Sequence, residues 1–396
     1  MNRRKFLAAA CAAGAASCTR PEPDRYAKNI RVTGAEVFHL PVQEERYGWT
    51  IVRVQTDVGL SGIGEATGSG SGDPAIAKVP EYIEWMTGRS VYDIEALRAR
   101  TYPEHGEHGR AMASAFSSIE QALYDIQGQA QGAPISALFG GRLRDQIRNY
   151  ANINRGSKTR TPEGFRPTLE SAIEAGFDST KLAPFDRRPR NASPAELERH
   201  FQRGLESIRM ARELIGPTGD VLIEGHSNFE LDRALGILDA LQEQNIFWFE
   251  EPIRSLEAMA EIRDAAPFPI AGGEGLFSGA EALNYIQTGA VDILMPDIKW
   301  CAGCLELKKI SAMCEAAGVQ IAPHGPVSPV GNMAAAQVCS TIPNFSILEY
   351  SHGDAPWRFE MTDPPEPLQK GGMLDVLDTP GLGYKLNMKT INARKA

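Results

Sequence analysis

The chain has 396 residues, 42% of them hydrophobic, enough to bury one large core or two moderate ones. Its 50 acidic residues outnumber its 41 basic ones, for a formal net charge of −9. Phosphate backbones are bound by basic patches, and the body of the chain has no extended Lys/Arg run, which argues against a nucleic-acid partner.

The first segment, residues 1–27, reads as a targeting signal. "MNRRKFLAAACAAGAASC" pairs Arg3 with Arg4, continues through Phe6 and Leu7, and runs into a short Ala-rich stretch that ends in small residues. It resembles a twin-arginine export signal and is set aside from fold reasoning. The apolar part is too short to span a bilayer as a stable helix. Ala15 to Cys18 resembles a lipoprotein cleavage box, in which a lipidated Cys18 would tether the protein to a membrane; ordinary cleavage nearby is the alternative. The expectation is an exported, periplasmic protein. Of the six cysteines, Cys301, Cys304, Cys314 and Cys339 remain once the signal is removed. Cys301 and Cys304 form a CxxC without a second pair of similar spacing, so packing at a helix start is preferred over a redox or zinc role.

Residues 28–145 read as an α+β domain. "IRVTGAEVFHLPV" and "WTIVRVQTDVGLSGIGEA" alternate with period two, and "DVGLSG" supplies a hairpin turn. Helical text follows in "YIEWMTG", "DIEALRARTY" and "MASAFSSIEQALYDIQGQAQG", the last with apolar Phe116, Ile119, Leu123 and Ile126 on one face. Residues 146–370 change texture: strand-length apolar runs alternate with helical segments, the pattern of repeated βα units around a parallel sheet. Residues 371–396 form a C-terminal segment expected to return to the first domain.

The ends of the apolar runs carry the chemistry. They fall at Lys181, Glu224, Glu250, Glu274, Asp297, His324 and Glu349, with steps of 23 to 27 residues from Glu224 onward. A (β/α)₈ barrel needs on the order of 30 residues per unit and gathers its strand C-termini around one mouth. The expected fold is therefore α/β, a modified TIM-like (β/α) barrel preceded by an α+β domain. Three convergent carboxylates, Glu224, Glu250 and Glu274, would repel one another without a cation. A single Mg²⁺, which takes hard oxygen ligands and keeps positions open for substrate, resolves this. Asp297 and His324, on the next two strand ends, suit a dyad in which the acid orients the imidazole as a base.

Together "VLIEGH", "WFEEP", "AGGEG", "LMPDIKW", "APHGP" and "ILEY" resemble the mandelate racemase/muconate-lactonising branch of the enolase superfamily. The resemblance covers almost everything after the signal and implies that the N-terminal domain caps the barrel mouth. It implies Mg²⁺ on Glu224, Glu250 and Glu274, and abstraction of the proton α to a carboxylate to give an enediolate; a Lys or His base working with Mg²⁺ is general in this superfamily. Two departures bear on the reaction. The first ligand position holds Glu224 where Asp is common, and the usual Lys-x-Lys reads Lys181-Leu182-Ala183, so one of the two opposed bases of a racemase is missing.

His324 with Asp297 is then the base, and Lys181 is a fixed cation for the substrate carboxylate. His226 matches the general acid of acid-sugar dehydratases, with a purely hydrogen-bonding role as the alternative. Glu349, if protonated, would bond the substrate carboxylate. The expected function is a dehydratase of a sugar acid, a small-molecule carboxylate, in a homo-oligomer. Cycloisomerisation or epimerisation through the same enediolate, or a noncatalytic carbohydrate-binding role, are the rivals. Arg46, Tyr47 and Trp49 in "VQEERYGWT", and His105, His108 and Arg110 in "PEHGEHGRAM", are candidate substrate contacts.

Overall fold

A computed structural model describes residues 29–42, 47–67 and 74–395. The export-signal reading, the lipidation of Cys18 and the contact assigned to Arg46 lie outside the described residues. So do the side chains of Tyr47, His105 and His108. No helix among the described residues is long and apolar enough to cross a membrane.

Strands β1 (Val32–Val42), β2 (Tyr47–Thr56) and β3 (Ser61–Glu65) form an antiparallel sheet, as the alternation predicts. Between β2 and β3 the turn closes with Thr56 N–H donating to Leu60 O at 3.1 Å, and Gly59 supplies the positive φ of 79° that a side chain would disfavour. The helices Pro74–Met86, Ile94–His108 and Arg110–Gln131 cover this sheet, burying Val52, Val54, Val79, Phe116, Ile119 and Ile126 in one cluster. Contact between β3 and the long helix is backbone-close. A Cβ on Gly62 or Gly64 would fall 2.1 Å from Ala122 O or 2.0 Å from Ser118 O, so only glycine fits.

The second domain is the predicted barrel. Strands β4 (Gln146–Asn152), β5 (Ser179–Leu182), β6 (Asp220–Glu224), β7 (Trp248–Glu250), β8 (Ile270–Gly272), β9 (Ile293–Leu294) and β10 (Gln320–Ile321) pair in parallel in chain order. Strand β11 (Leu348–Ser351) pairs with β4, and a bridge from Ile321 to Phe345 joins β10 to its approach, so the barrel closes. Of the C-terminal residues, Met373–Asp375 add an antiparallel strand beside β4, while the helix Met388–Arg394 lies against β1 of the cap.

Strand periodicity places the functional layer. Tyr150, Leu222, Trp248, Met295, Ala322 and Ile347 form an apolar plug inside the barrel. Two residues further along each strand, on the same face, stand Asn152, Glu224, Glu250, Asp297, His324 and Glu349, all buried. Glu274 breaks the register because Gly273, at φ 99°, turns the chain just after β8.

Two buried acids of the cap fasten it to the barrel. Glu65 accepts from Ser328 N–H at 3.0 Å, Ser328 Oγ–H at 2.5 Å and Gly331 N–H at 3.0 Å, at the N-terminus of the helix Pro329–Cys339. That end of a helix favours an anion. Glu120 accepts from Cys304 N–H and Leu305 N–H, both at 2.9 Å, and its burial pushes its pKa up to about 7 against the pull of those bonds.

Replacing Glu65 with Ala strands three buried donors and should cost about 3 kcal/mol, measured by urea unfolding; a change within about 0.5 kcal/mol would contradict the fastening role. For Glu120 the folded pKa of about 7 exceeds the ordinary 4.5. Its contribution is thus fully present below pH 4.5 and is lost as pH rises through 7, by about 3 kcal/mol. Stability should therefore depend less steeply on pH in Glu120→Gln than in wild type across that window, and equal slopes would exclude Glu120 as the source.

Candidate active site

The barrel mouth brings all seven expected strand-end residues together and adds Asn152, on the first barrel strand. At the centre stands Lys181, 1% exposed, with Nζ 2.8 Å from Glu250 Oε1, 3.4 Å from Glu349 Oε1 and 3.5 Å from Glu224 Oε2. Burial alone would lower its pKa, but Glu250 and Glu349 hold it well above the ordinary lysine value. Glu349 is the complementary case. Burial would raise it, yet Lys181, His324, the Gly325 N–H at 2.9 Å and the Asn152 amide keep it below the usual carboxylate range. It accepts both of these bonds, and its lowered pKa disfavours the protonated form on which its expected bond to the substrate carboxylate depended.

The carboxylates divide by surroundings. Burial pushes Glu224 up to about 8 despite Lys181, and burial with the neighbouring Glu224 also raises Glu250 well above the ordinary carboxylate value. Burial would raise Glu274 too, but the His324 and His226 charges outweigh it and lower its pKa. Two acids held against their tendency to ionise are the electrostatic signature of a site built for additional positive charge. Glu224 Oε2 is buried without a hydrogen-bond partner, which fits an oxygen that ligates a cation.

Which residues could hold that cation departs in part from expectation. Glu224, His226 and Glu274 each offer a ligand atom within 4.8 Å of the others. Glu250, expected as the third ligand, points its carboxylate at Lys181 and accepts from Trp248 Nε1–H at 3.1 Å, because the buried acid takes the nearest cation and donor. Its neighbour Glu251 faces the other way, accepting from Gly273 N–H at 3.1 Å and so bracing the end of β8.

His324 and Asp297 form the expected dyad. His324 Nδ1 is 2.8 Å from Asp297 Oδ2, and Nε2 is 3.1 Å from Glu274 Oε2. Burial would depress the imidazole, but Glu274, Glu349 and Asp297 raise its pKa. Sequence reasoning missed Lys299, 1% exposed, whose Nζ lies 2.7 Å from the same Asp297 oxygen and helps to keep that acid ionised despite burial. It also missed Trp300, stacked on His324 with centroids 5.3 Å apart. The Asp-x-Lys-Trp spacing in "PDIKW" was the available signal. Arg110 of the cap lies over Trp300 at 4.7 Å and donates from Nε to Gly275 O at 3.2 Å, so the cap reaches the rim of the site.

His226 faces the dyad across the mouth. Its Nδ1 lies 2.7 Å from Asp186 Oδ1, its backbone N–H donates to Glu224 Oε1 at 2.8 Å, and Nε2 is 3.9 Å from Glu224 Oε2. Burial would lower its pKa, and Asp186 outweighs that and raises it. His226 and Ser227 both have positive φ, 44° and 53°, a conformation that costs a non-glycine residue on the order of 1–3 kcal/mol. A cavity of about 330 Å³ opens beside this turn, bordered by Arg110, Ser227, Glu251, Gly275 and Tyr285.

Burial overturns one expectation and supports another. Trp49, read as a substrate contact, is 0% exposed and packs edge-on against Trp357 at 5.1 Å, serving the junction of cap and barrel instead. Cys301 and Cys304 are buried core residues whose thiols burial pushes well above the ordinary value, so neither presents a thiolate for zinc or redox chemistry.

Residues 165–390 match the enolase C-terminal domain-like family, and residues 37–140 match the mandelate racemase/muconate lactonizing enzyme N-terminal domain. The chain is 28% identical over 355 residues to a D-xylonate dehydratase from Haloferax volcanii, covering 88% of this chain and 85% of that protein. It is 30% identical over 359 residues to a D-galactarolactone cycloisomerase from Agrobacterium fabrum, covering 87% and 90%. Among solved structures, a mandelate racemase/muconate lactonizing enzyme-like protein from Rubrobacter xylanophilus superposes with a TM-score of 0.83 at 27% identity, covering 93% of this chain and 98% of that one. With both domain models matched and the barrel mouth assembled as described, the chain belongs to the mandelate racemase/muconate lactonizing enzyme branch of the enolase superfamily.

Proposed function

We propose that the protein is a carbon–oxygen lyase that dehydrates a sugar acid, with His324 as the base that removes the proton α to the carboxylate. The observation that carries this reading is the pair of imidazoles bracketing the acid cluster, His324 held by Asp297 and His226 held by Asp186. A dehydratase needs such a pair, one group to take a carbon-bound proton and one to protonate the leaving hydroxyl. The D-xylonate, D-gluconate and D-galactonate dehydratases among the relatives support the substrate class.

In this reading Lys181 sets the positive charge against which the substrate carboxylate docks, and Glu349 and Asn152 fix that lysine and leave it no freedom to drift. Asp297 orients His324 so that Nε2 faces the α-carbon, while Trp300 walls the ring from solvent. The proton lost from carbon passes to Nε2, the electron pair moves into the carboxylate as an enediolate, and its collapse expels the 3-hydroxyl with the proton donated by His226. The enol released becomes a 2-keto-3-deoxy acid. Mg²⁺ is the cation proposed for the cluster: Glu224 and Glu274 would supply hard oxygens of the kind it prefers, with Glu250 joining them by giving up part of its contact with Lys181, which would leave the His226 imidazole for proton transfer. When bound it stabilises the negative charge that develops on the substrate carboxylate. The cavity beside Ser227 has room for the distal carbons, with Arg110 at its edge.

A second reading keeps the enediolate and changes its fate to cycloisomerisation, favoured by the cycloisomerase among the relatives. Product NMR in deuterated water separates them, because only dehydration releases a 2-keto-3-deoxy acid. With a panel of aldonic, aldaric and uronic acids, His324→Asn should lose α-proton exchange and turnover together, by 10²-fold or more at an order of magnitude; retained exchange would remove His324 as the base. Chelation with EDTA should abolish turnover and Mg²⁺ should restore it, whereas full activity of the chelated protein would rule out the proposed cation.

A further inference from the structure

We propose that Asp186 is the positioning residue of His226, holding that imidazole as Asp297 holds His324 on the opposite side of the mouth; this rests on the dehydratase reading, in which His226 protonates the leaving hydroxyl. His226 is itself fairly open, its side chain 39% exposed, and Asp186 Oδ1 at 2.7 Å from Nδ1 fixes the ring. With Nδ1 engaged, Nε2 is the nitrogen turned to the acid cluster, 3.9 Å from Glu224 Oε2. The two imidazoles thus present Nε2 to the same group of carboxylates, each anchored from behind through Nδ1.

The surrounding structure is built to hold this pair. Phe185, immediately before Asp186, is 0% exposed and meets Phe229 edge-on at 4.8 Å, so the loop after β5 and the loop after β6 are clamped to each other. Gly204 leaves room for that clamp, since a Cβ there would fall 2.4 Å from the Phe185 ring. Asn228 Nδ2 donates to Gly225 O at 2.9 Å and lies 3.4 Å from Asp186 Oδ1, tying the far side of the turn to the same acid. Arg160 Nε stands 3.5 Å from Asp186 Oδ2, and that arginine donates from Nη1 to Asn154 O at 2.9 Å, just beyond β4. Asp186 is therefore fixed from the loops that follow three strands, and through its bond to Nδ1 it holds the ring on the strained backbone of His226 and Ser227.

The test compares wild type with Asp186→Asn and Asp186→Glu, following α-proton exchange and product release by NMR in deuterated water with a sugar acid that wild type dehydrates. Asparagine can donate to Nδ1 and reverse the tautomer. Elimination should fall on the order of 10²-fold in Asp186→Asn while exchange, which is His324's step, falls less than tenfold, with KM within about twofold. Glutamate should recover part of the elimination. Unchanged elimination, or exchange and elimination falling by the same factor, overturns the proposal. If wild type turns over no acid sugar, the dehydratase reading has failed and the ring itself decides: ¹⁵N-histidine NMR of the substrate-free protein, with His226→Asn identifying the signal. The Nδ1–H form should be present in wild type and lost in Asp186→Asn; identical ring-nitrogen shifts in the two proteins overturn the positioning role.

Discussion

A lysine ammonium buried inside a barrel survives only where anions surround it, and Lys181 has three within 3.5 Å, each on a different strand. Buried ions are costly unless they are paired and bonded. Strands β6, β7 and β11 must therefore end at one height around β5, and the remaining site residues take their places relative to that arrangement. Asn152 and the Gly325 N–H complete the cage by bonding Glu349, and they keep it ionised beside the lysine.

From this centre the acids acquire different characters without differing in chemistry. Glu349 is driven below the usual range by Lys181 and His324, whereas Glu224 and Glu250 are raised by burial that Lys181 only partly offsets. One cation cannot serve every carboxylate around it, and the deficit on the Glu224–Glu274 side is where a divalent ion is proposed. On either flank a histidine is tied back by an aspartate, so the site contains two imidazoles whose orientation does not depend on solvent.

The cap is part of this construction. Glu65 and Glu120 fasten it to the N-termini of two barrel helices, and Arg110 extends from the start of its longest helix onto Trp300, which itself covers His324. The wall over the His324 ring thus comes from the barrel, and the residue beyond that wall from the cap. A substrate long enough to pass the acid cluster would meet side chains of both domains.

The amino-acid sequence by itself determined the barrel, the regular βα rhythm from Glu224 onward and most of the mouth, because strand periodicity and one polar residue per strand end are local patterns written at regular spacing. It determined the His324–Asp297 dyad for the same reason. It did not show Asn152, since the first barrel strand lacks a charged end, nor Lys299, which reads as an ordinary polar residue after a strand. Asp186 was hidden in "PFDRRPRNASP", a Pro/Arg-rich stretch between Lys181 and Glu224 in which no period marks a site residue. Tertiary structure alone decided that Trp49 is sealed between the domains, that Glu250 turns to Lys181, and that Asp186 reaches His226. Each is a contact between segments far apart in the chain, set by packing and by competition among buried charges, and neither of those has a period that a sequence displays.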